Sequence, residues 1–167
     1  MTIDIHPMTP ADIPGCVRIL LENPLWQHYN VTLASADNMF RNAMEEGATI
    51  LTAVLEGQTA GFAWYVLRGA WDRSAYLRLI GILPEYQGKG IGVNLMQAVE
   101  ERVVEKVEDI FLLVTDSNID AQRFYRRLGY QQVGSIPDYV VREINELIFY
   151  KRLVQTIATA GESPGST

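Results

Sequence analysis

The feature that most constrains the fold is a glycine-rich turn between an apolar run and a helical pattern. The apolar run covers residues 77–83, and the turn reads Gln87-Gly88-Lys89-Gly90-Ile91-Gly92. The first amides of a helix have no intrahelical partner and lie at the positive end of the helix dipole. Glycines let an anion approach the backbone closely. The order strand, turn, helix therefore predicts a site for a phosphate or pyrophosphate.

The spacing of the turn excludes two common phosphate loops. No Gly-x-x-x-x-Gly-Lys-Ser/Thr is present, so the turn is not a Walker A loop. The glycines at 88, 90 and 92 do not have the G-x-G-x-x-G spacing of a dinucleotide site. Taken alone, the run is also compatible with a flexible turn that merely begins a helix.

A second motif downstream of the turn makes the interpretation of the turn more specific. Residues 87–92 fit the pattern Gln/Arg-x-x-Gly-x-Gly/Ala. Downstream, an apolar run at 110–114 precedes Asn118, and the following helical pattern ends in Phe124-Tyr125-Arg126-Arg127-Leu128-Gly129-Tyr130. In these motifs the chain resembles the GNAT N-acetyltransferase superfamily from Tyr76 to Tyr130.

The alternation of strand and helix patterns predicts an α/β (α+β) fold. The resemblance implies a mixed, mostly antiparallel twisted sheet with helices on both faces and a splayed parallel strand pair, into which the cofactor's pantetheine arm enters. We expect one acyl-CoA-binding domain over residues 1–154 and a disordered tail over 155–167. Residues 22–32 and 68–73 are predicted loops, and Gly81 is predicted to lie at a bulge or a close ligand approach.

The resemblance implies acetyl-CoA as the cofactor and a set of residues that bind it. Backbone groups of the strand before the turn are expected to face the thioester carbonyl and pair with the pantetheine amides. Amides of the turn are expected to face the pyrophosphate, and the role of the Lys89 side chain stays open between a phosphate contact and solvation. The full set is Ile80, Gly81, Ile82, Gln87, Gly88, Lys89, Gly90, Ile91, Gly92, Asn118 and Tyr125.

Tyr125 is the expected catalytic acid. A phenol is neutral at pH 7 and can donate a proton to the departing thiolate. The alternative is that Tyr125 is only a core residue, like its neighbours Phe124 and Leu128. Asn118 is expected to contact the pantetheine arm, and it is also a good residue for a helix N-cap.

No base is evident on the two splayed strands. Residues 75–83 contain no carboxylate, and the positions that often carry one on the next strand are Leu113 and Val114. Alternation places Tyr76, Arg78, Ile80 and Ile82 on one face. The proton must then leave through water or through a loop residue, for which the candidates are His28, Asp72, Asp138 and Glu22.

Loops after the first helix, before the fourth strand and at 137–142 should build the acceptor pocket. They offer aromatic side chains and carboxylates, which suit a cationic amine. The candidates are Trp26, His28, Tyr29, Trp71, Asp72, Asp138 and Tyr139. The resemblance predicts transfer of an acetyl group to a primary amine by direct attack in a ternary complex. The acceptor stays open between small molecules, a lysine side chain and a protein N-terminus.

Composition further narrows the classes of function that the chain can have. The net charge of −6 argues against nonspecific nucleic-acid binding, and no apolar run is long enough to span a membrane. Without a visible secretory signal and with a single cysteine, Cys16, the expected compartment is the cytoplasm. No metal site is expected, and a homodimer stays open. A non-catalytic acyl-CoA sensor and an interaction scaffold are the alternatives to an enzyme.

Overall fold

A seven-stranded mixed sheet organises the molecule, in the order β1-β2-β3-β4-β5-β7-β6. The computed structural model describes residues 2–27 and 29–154; His28 and the tail predicted at 155–167 lie outside them. The strands are β1 Ile3–Pro7, β2 Thr49–Leu55, β3 Gln58–Ala70, β4 Ser74–Ile82, β5 Asp109–Thr115, β6 Gln131–Ile136 and β7 Glu146–Arg152. All neighbours pair antiparallel except β4 and β5. The mixed, mostly antiparallel sheet predicted from the sequence is confirmed.

Within the described residues, five α-helices cover the two faces of this sheet. They are α1 Ile13–Glu22, α2 Pro24–Gln27, α3 Leu33–Glu45, α4 Ile91–Val103 and α5 Ile119–Arg127. Helices α1 to α3 pack on one face around Phe40 and Phe62, and α4 and α5 pack on the other around Leu95 and Tyr125. Cys16 is buried in the first of these cores, where burial raises the pKa of its thiol and keeps it protonated.

Two of the predicted loops contain regular structure. The helix α2 lies within the loop predicted at 22–32, because Asn23 accepts a hydrogen bond from the Leu25 amide and begins a short turn. Strand β3 continues to Ala70, so the first half of the loop predicted at 68–73 is strand and only a tight turn joins β3 to β4. Trp71 and Asp72 in that turn both have positive φ, of 51° and 53°.

The parallel pair β4–β5 holds together over a short stretch only. Its register runs from Ala75 opposite Ile110 to Leu77 opposite Leu112 and then stops. Strand β5 continues along β7 as far as Thr115, while β4 continues along β3 to Ile82. The two strands therefore splay into a wedge that opens toward their carboxyl ends, as the family resemblance implied.

The bulge in β4 lies at Arg78, and the expectation of a bulge at Gly81 is wrong. Trp64 pairs with Leu79 and Tyr65 pairs with Leu77, which leaves Arg78 as the extra residue. The extra residue shifts the alternation by one position. Strict period-2 spacing had predicted that Tyr76 and Ile80 share a face. Because of the bulge, they lie on opposite faces of the sheet.

Gly81 is required by packing. It pairs regularly with Phe62, and a Cβ there would lie 2.7 Å from both Ile19 Cγ2 and Trp26 Cη2. Only glycine lets α1 and α2 approach β4 this closely. The glycine thus fixes one wall of the wedge.

No helix in the described part of the chain is long and apolar enough to cross a bilayer.

Candidate active site

A cavity of about 690 Å³ occupies the wedge between β4 and β5. Side chains from α1, α2, α3 and the start of α5 contribute to its lining. The lining includes Trp26, Tyr29, Met39, Tyr76, Arg78, Ile80, Leu113, Thr115, Asn118, Ala121, Tyr125, Val140 and Glu146. Most of these side chains are apolar or aromatic, so a charged group inside the cavity depends strongly on its few polar neighbours.

The wedge gives the cavity access to both faces of the sheet. Along β5, Leu112 and Val114 belong to the core under α4 and α5, so Leu113 and Thr115 point to the opposite face. Tyr125 reaches the cavity from α5, on the α4–α5 face. Polar side chains of β4 and β7 therefore approach the middle of the wedge from the other side.

Tyr125 lines this cavity. Its ring is buried and packs edge-on against Phe124 and Tyr130, at centroid distances of 5.1 and 5.6 Å. Its hydroxyl oxygen makes no hydrogen bond to any described residue. The oxygen is not fully buried, because Trp64 Nε1 is the one fully buried side-chain nitrogen or oxygen without a hydrogen-bond partner among the described residues. Burial raises the pKa of Tyr125, so the phenol holds its proton until a stronger base forms beside it.

The glycine turn has the properties of an anion site. Gly88 and Gly90 have φ of 75° and 81°, and Gly90 is the N-cap of α4. Within the described residues, the amides of 88–92 donate to no protein acceptor. An added Cβ at Gly88 would meet nothing within 4 Å. Free amides and open space at a helix start fit the pyrophosphate of a coenzyme A derivative.

The other residues of the turn are placed differently. Lys89 is exposed, with its Nζ 4.9 Å from the Tyr86 ring centroid. Gly92 has a packing reason, because a Cβ there would lie 3.2 Å from the Phe124 ring. Ile91 is buried under the start of α4, while the Gln87 side chain is exposed.

Two further features fit a pantetheine arm. Beyond Leu77, β4 has no partner on its β5 side, so the backbone of Ile80 and Ile82 on that edge stays available for hydrogen bonds. Asn118 is the N-cap of α5, where its Oδ1 accepts from the Ala121 amide at 3.1 Å. Its side-chain NH2 has no partner among the described residues, and Asn118 lines the cavity. The N-cap role and a ligand contact are thus compatible.

Only part of the expected acceptor pocket comes together. Trp26 and Tyr29 line the cavity, and His28 lies outside the described residues. Asp72 does not reach it, because the β3–β4 turn lies at the closed end of the parallel pair, beside a second cavity with Arg68 and Lys106. In the same turn, Trp71 packs on Phe111 with its ring centroid 4.8 Å away.

The remaining candidate acids are engaged elsewhere. Asp138 Oδ1 accepts from the Glu143 amide at 2.6 Å and stabilises the β6–β7 loop. Glu22 pairs with Arg18 on the surface, at 2.7 Å. The loop at 137–142 still reaches the cavity through Val140.

Sequence reasoning missed two charged residues of the cavity. Glu146 is 4% exposed and accepts a hydrogen bond from Thr115 Oγ1 at 3.3 Å. Arg78 lies over Trp64, with its guanidinium carbon 4.5 Å from the ring centroid, and makes no ion pair with a described carboxylate. The β4 bulge and the pairing of β7 with β5 bring these residues to the wedge, and neither is visible in local spacing.

The fold and the cavity have the features expected of a protein that binds an acylated coenzyme A. A family model described as "Acetyltransferase (GNAT) family" matches residues 15–130. The chain belongs to this family.

Relatives of known activity agree with this result. An L-methionine sulfoximine/L-methionine sulfone acetyltransferase of Pseudomonas aeruginosa is 28% identical over 151 residues, which cover 82% of this chain and 85% of the relative. A spermine/spermidine N(1)-acetyltransferase of Bacillus subtilis is 34% identical over 88 residues, covering 48% and 58%. A solved structure from Salmonella typhimurium that contains acetyl-CoA shares the fold, with a TM-score of 0.70 at 16% identity, over 95% of this chain and 98% of that one.

The chain is accordingly an N-acetyltransferase that uses acetyl-CoA and acts on amines, as the two sequence motifs predicted.

Proposed function

We propose that the chain transfers the acetyl group of acetyl-CoA to the amine of a small acceptor that also carries a carboxylate, in the manner of a free amino acid. Attack is direct, in a ternary complex within the wedge. The observation that carries the proposal is the set of charged side chains that line the cavity. Among the described residues these are one guanidinium, Arg78, and one carboxylate, Glu146.

Arg78 suits the acceptor's carboxylate. Its guanidinium lies over the Trp64 ring and makes no ion pair with a carboxylate among the described residues, so its hydrogen-bond donors remain available to a ligand. Arginine binds a carboxylate through two parallel hydrogen bonds, which fixes orientation as well as position. The apolar surface of Trp26 and Met39 is available to the rest of the acceptor.

The same lining disfavours a polyamine. A polyamine carries several ammonium groups and needs several carboxylates, but Glu146 is the sole carboxylate among the described residues at the cavity. A guanidinium in the same space repels a polycation. The 28% identity to an enzyme named for acetylating modified methionines adds support for the amino-acid class.

Tyr125 acts as the acid in this proposal. The amine needs its lone pair to attack, and the sulfur leaves as a thiolate that a proton stabilises. The phenol of Tyr125 faces the cavity and donates to that sulfur. Asn118 and the open edge of β4 at Ile80–Ile82 hold the pantetheine amides, while the backbone amides of Gly88 to Gly92 hold the pyrophosphate. The Gln87 amide is not free, because it donates to the Pro84 carbonyl at 3.2 Å.

The proposed compartment is the cytoplasm, which the single buried cysteine supports. The net charge of −6 supports a small acceptor over nucleic acid.

A panel of acceptors tests the proposal. The purified chain is mixed with acetyl-CoA and, separately, with L-methionine sulfone, L-methionine, spermine and an alanine-initiated peptide, and thiol release is followed. We expect turnover with the amino acids, and products that gain one acetyl group by mass. Turnover with spermine or the peptide alone would refute the acceptor class. A protein that binds acetyl-CoA but acetylates no amine would be a sensor.

A matched pair of variants tests Arg78. Arg78→Met should raise KM for an amino acid about ten- to a hundredfold, because one charged hydrogen-bonded contact contributes about 1.5–3 kcal/mol. Arg126 is the control: its guanidinium also lies over an aromatic ring, that of Phe149 at 5.3 Å, but away from the cavity lining. Arg126→Met should leave KM unchanged. Equal effects of both variants would contradict a carboxylate contact at Arg78.

A further inference from the structure

We infer that Glu146 holds the acceptor's ammonium group and takes its proton, so that the amine becomes a nucleophile inside the wedge. The inference rests on the proposed function, since it names the base of that reaction. It assigns this step to β7, whereas the two splayed strands carry no carboxylate at the cavity among the described residues.

The need for a base follows from the chemistry. An aliphatic amine is protonated near neutral pH and has no lone pair for attack in that form. A positioned base supplies the neutral amine where it is needed. Of the loop candidates, Asp72, Asp138 and Glu22 are placed away from the cavity or engaged elsewhere.

Sheet geometry sets the direction of the Glu146 side chain. Glu146 pairs with Thr115 across β5 and β7 and accepts a hydrogen bond from its hydroxyl, so the two side chains share a face. That face is opposite the core formed by Leu112, Val114 and Phe149 under α4 and α5. Tyr125 comes from the α4–α5 face. The base and the acid therefore flank the wedge from opposite faces, which leaves the space between them for the reacting carbon.

The surroundings of Glu146 favour proton uptake. Burial is the main cause that raises the pKa of this carboxyl, and the negative charge of Asp116, in the loop after β5, raises it further. The Thr115 hydroxyl acts in the opposite sense through its hydrogen bond. Tyr76 faces Glu146 from β4, and burial raises its pKa, so it stays neutral. Arg78 shares the cavity lining, and the paired residue of β6, Ile136, is uncharged.

The proton balance of the step closes. Glu146 removes one proton from the ammonium group, and the neutral nitrogen forms a bond to the acetyl carbon. The carbon–sulfur bond breaks, and the sulfur takes the proton of Tyr125. The nitrogen gives up its second proton, which restores the phenol. Glu146 then releases its proton to water, so the products are an N-acetyl amine, coenzyme A and one proton.

The test compares two amide variants on the same strand pair. Glu146→Gln keeps an acceptor for Thr115 but cannot take a proton. Asp109 is the control: it lies at the other end of β5 and accepts a hydrogen bond from the Tyr150 hydroxyl at 3.4 Å. For each variant, kcat/KM is measured against pH with two amines of different basicity, together with coenzyme A affinity and melting temperature.

The expected result separates the residues. Glu146→Gln should lower kcat by about 10²–10⁴-fold with coenzyme A affinity unchanged, and Asp109→Asn should not. In the wild type, an acid limb of kcat/KM should stay at one pH for both amines, because it belongs to the ionisation of Glu146. In Glu146→Gln that limb should disappear, and the rate should follow each amine's own pKa.

A third variant tests the electrostatic link. Asp116→Asn removes the like charge next to Glu146 and lowers the pKa of its carboxyl, so the acid limb should move to lower pH. A purely structural role for Glu146 would not produce this movement. Glu146→Asp should recover part of the rate.

Two failures are distinguishable. If the wild type acetylates amines and Glu146→Gln keeps its rate and its acid limb, Glu146 is not the base and the proposed function stands. If the wild type acetylates no amine of the panel, the proposed function fails and the inference fails with it.

Discussion

Tyr125 is the proposed catalytic acid, and its structural role is separable from that function. The ring packs between Phe124 and Tyr130, while the hydroxyl has no partner among the described residues. Removing the hydroxyl therefore leaves the packing intact. Chemistry and stability can be measured independently at this residue.

Tyr125→Phe should lower the single-turnover rate of acetyl transfer by about 10²–10⁴-fold, the usual contribution of a general acid. Melting temperature and coenzyme A affinity should hardly change. Tyr130→Phe is the control, because its hydroxyl donates to Glu100 at 2.9 Å within a network that includes Lys151. That variant should lose stability and keep the rate. An unchanged rate in Tyr125→Phe would mean that Tyr125 is only a core residue.

The raised pKa of Glu146 also predicts that the stability of the fold depends on pH. Its pKa is raised in the folded state, so folding binds a proton that the unfolded chain releases more readily. The cost of the buried charge is absent below the unfolded pKa and fully present above the raised folded pKa. Glu146→Gln should therefore raise the melting temperature at pH 8 relative to the wild type, and less so at pH 4. An increase that is equal at both pH values would contradict this account.

At the scale of elements, the start of α4 is the proposed anion site. Gly90 has φ of 81° and caps the helix, next to amides that donate to no described residue. Valine at such a position is strained wherever it occurs. A test of ligand binding must therefore separate strain from contact.

Gly57 provides that separation, because it has φ of 77° in the β2–β3 hairpin with nothing within 4 Å of an added Cβ. Gly90→Val and Gly57→Val should both lower the melting temperature. Only Gly90→Val should weaken coenzyme A binding, by about ten- to a hundredfold for the loss of one charged hydrogen bond. Titration calorimetry on both folded variants checks this. Equal affinities would show that the pyrophosphate binds elsewhere.

The elements also show what the sequence could predict. The two motifs at 87–92 and 124–130 were recognisable because local spacing determines a helix start and a helix face. The bulge at Arg78 was not, because it depends on the register of β3 against β4. Glu146 was missed for the same reason, since its partner Thr115 is distant in sequence and their pairing is a tertiary fact. The acids proposed instead, Asp72 and Asp138, were chosen by loop membership, and their loops place them elsewhere.

At the scale of the whole molecule, the proposed reaction uses residues from both faces of the splayed sheet. In the proposed reaction, α4 and α5 supply the cofactor turn and Tyr125 on one face, while α1 to α3, Arg78 and Glu146 border the acceptor on the other. The wedge between β4 and β5 lies between these two sets of residues. The central claim is that acetyl-CoA enters this wedge.

Hydrogen exchange with and without coenzyme A tests that claim most directly. Backbone amides that receive ligand contacts exchange more slowly. We predict added protection at residues 78–82 on the open edge of β4 and at 87–92 in the turn. The β2–β3 hairpin at 55–60 serves as the internal reference and should be unaffected. Protection confined to the second cavity, around residues 68–73 and 106–109, or equal protection everywhere, would contradict binding in the wedge.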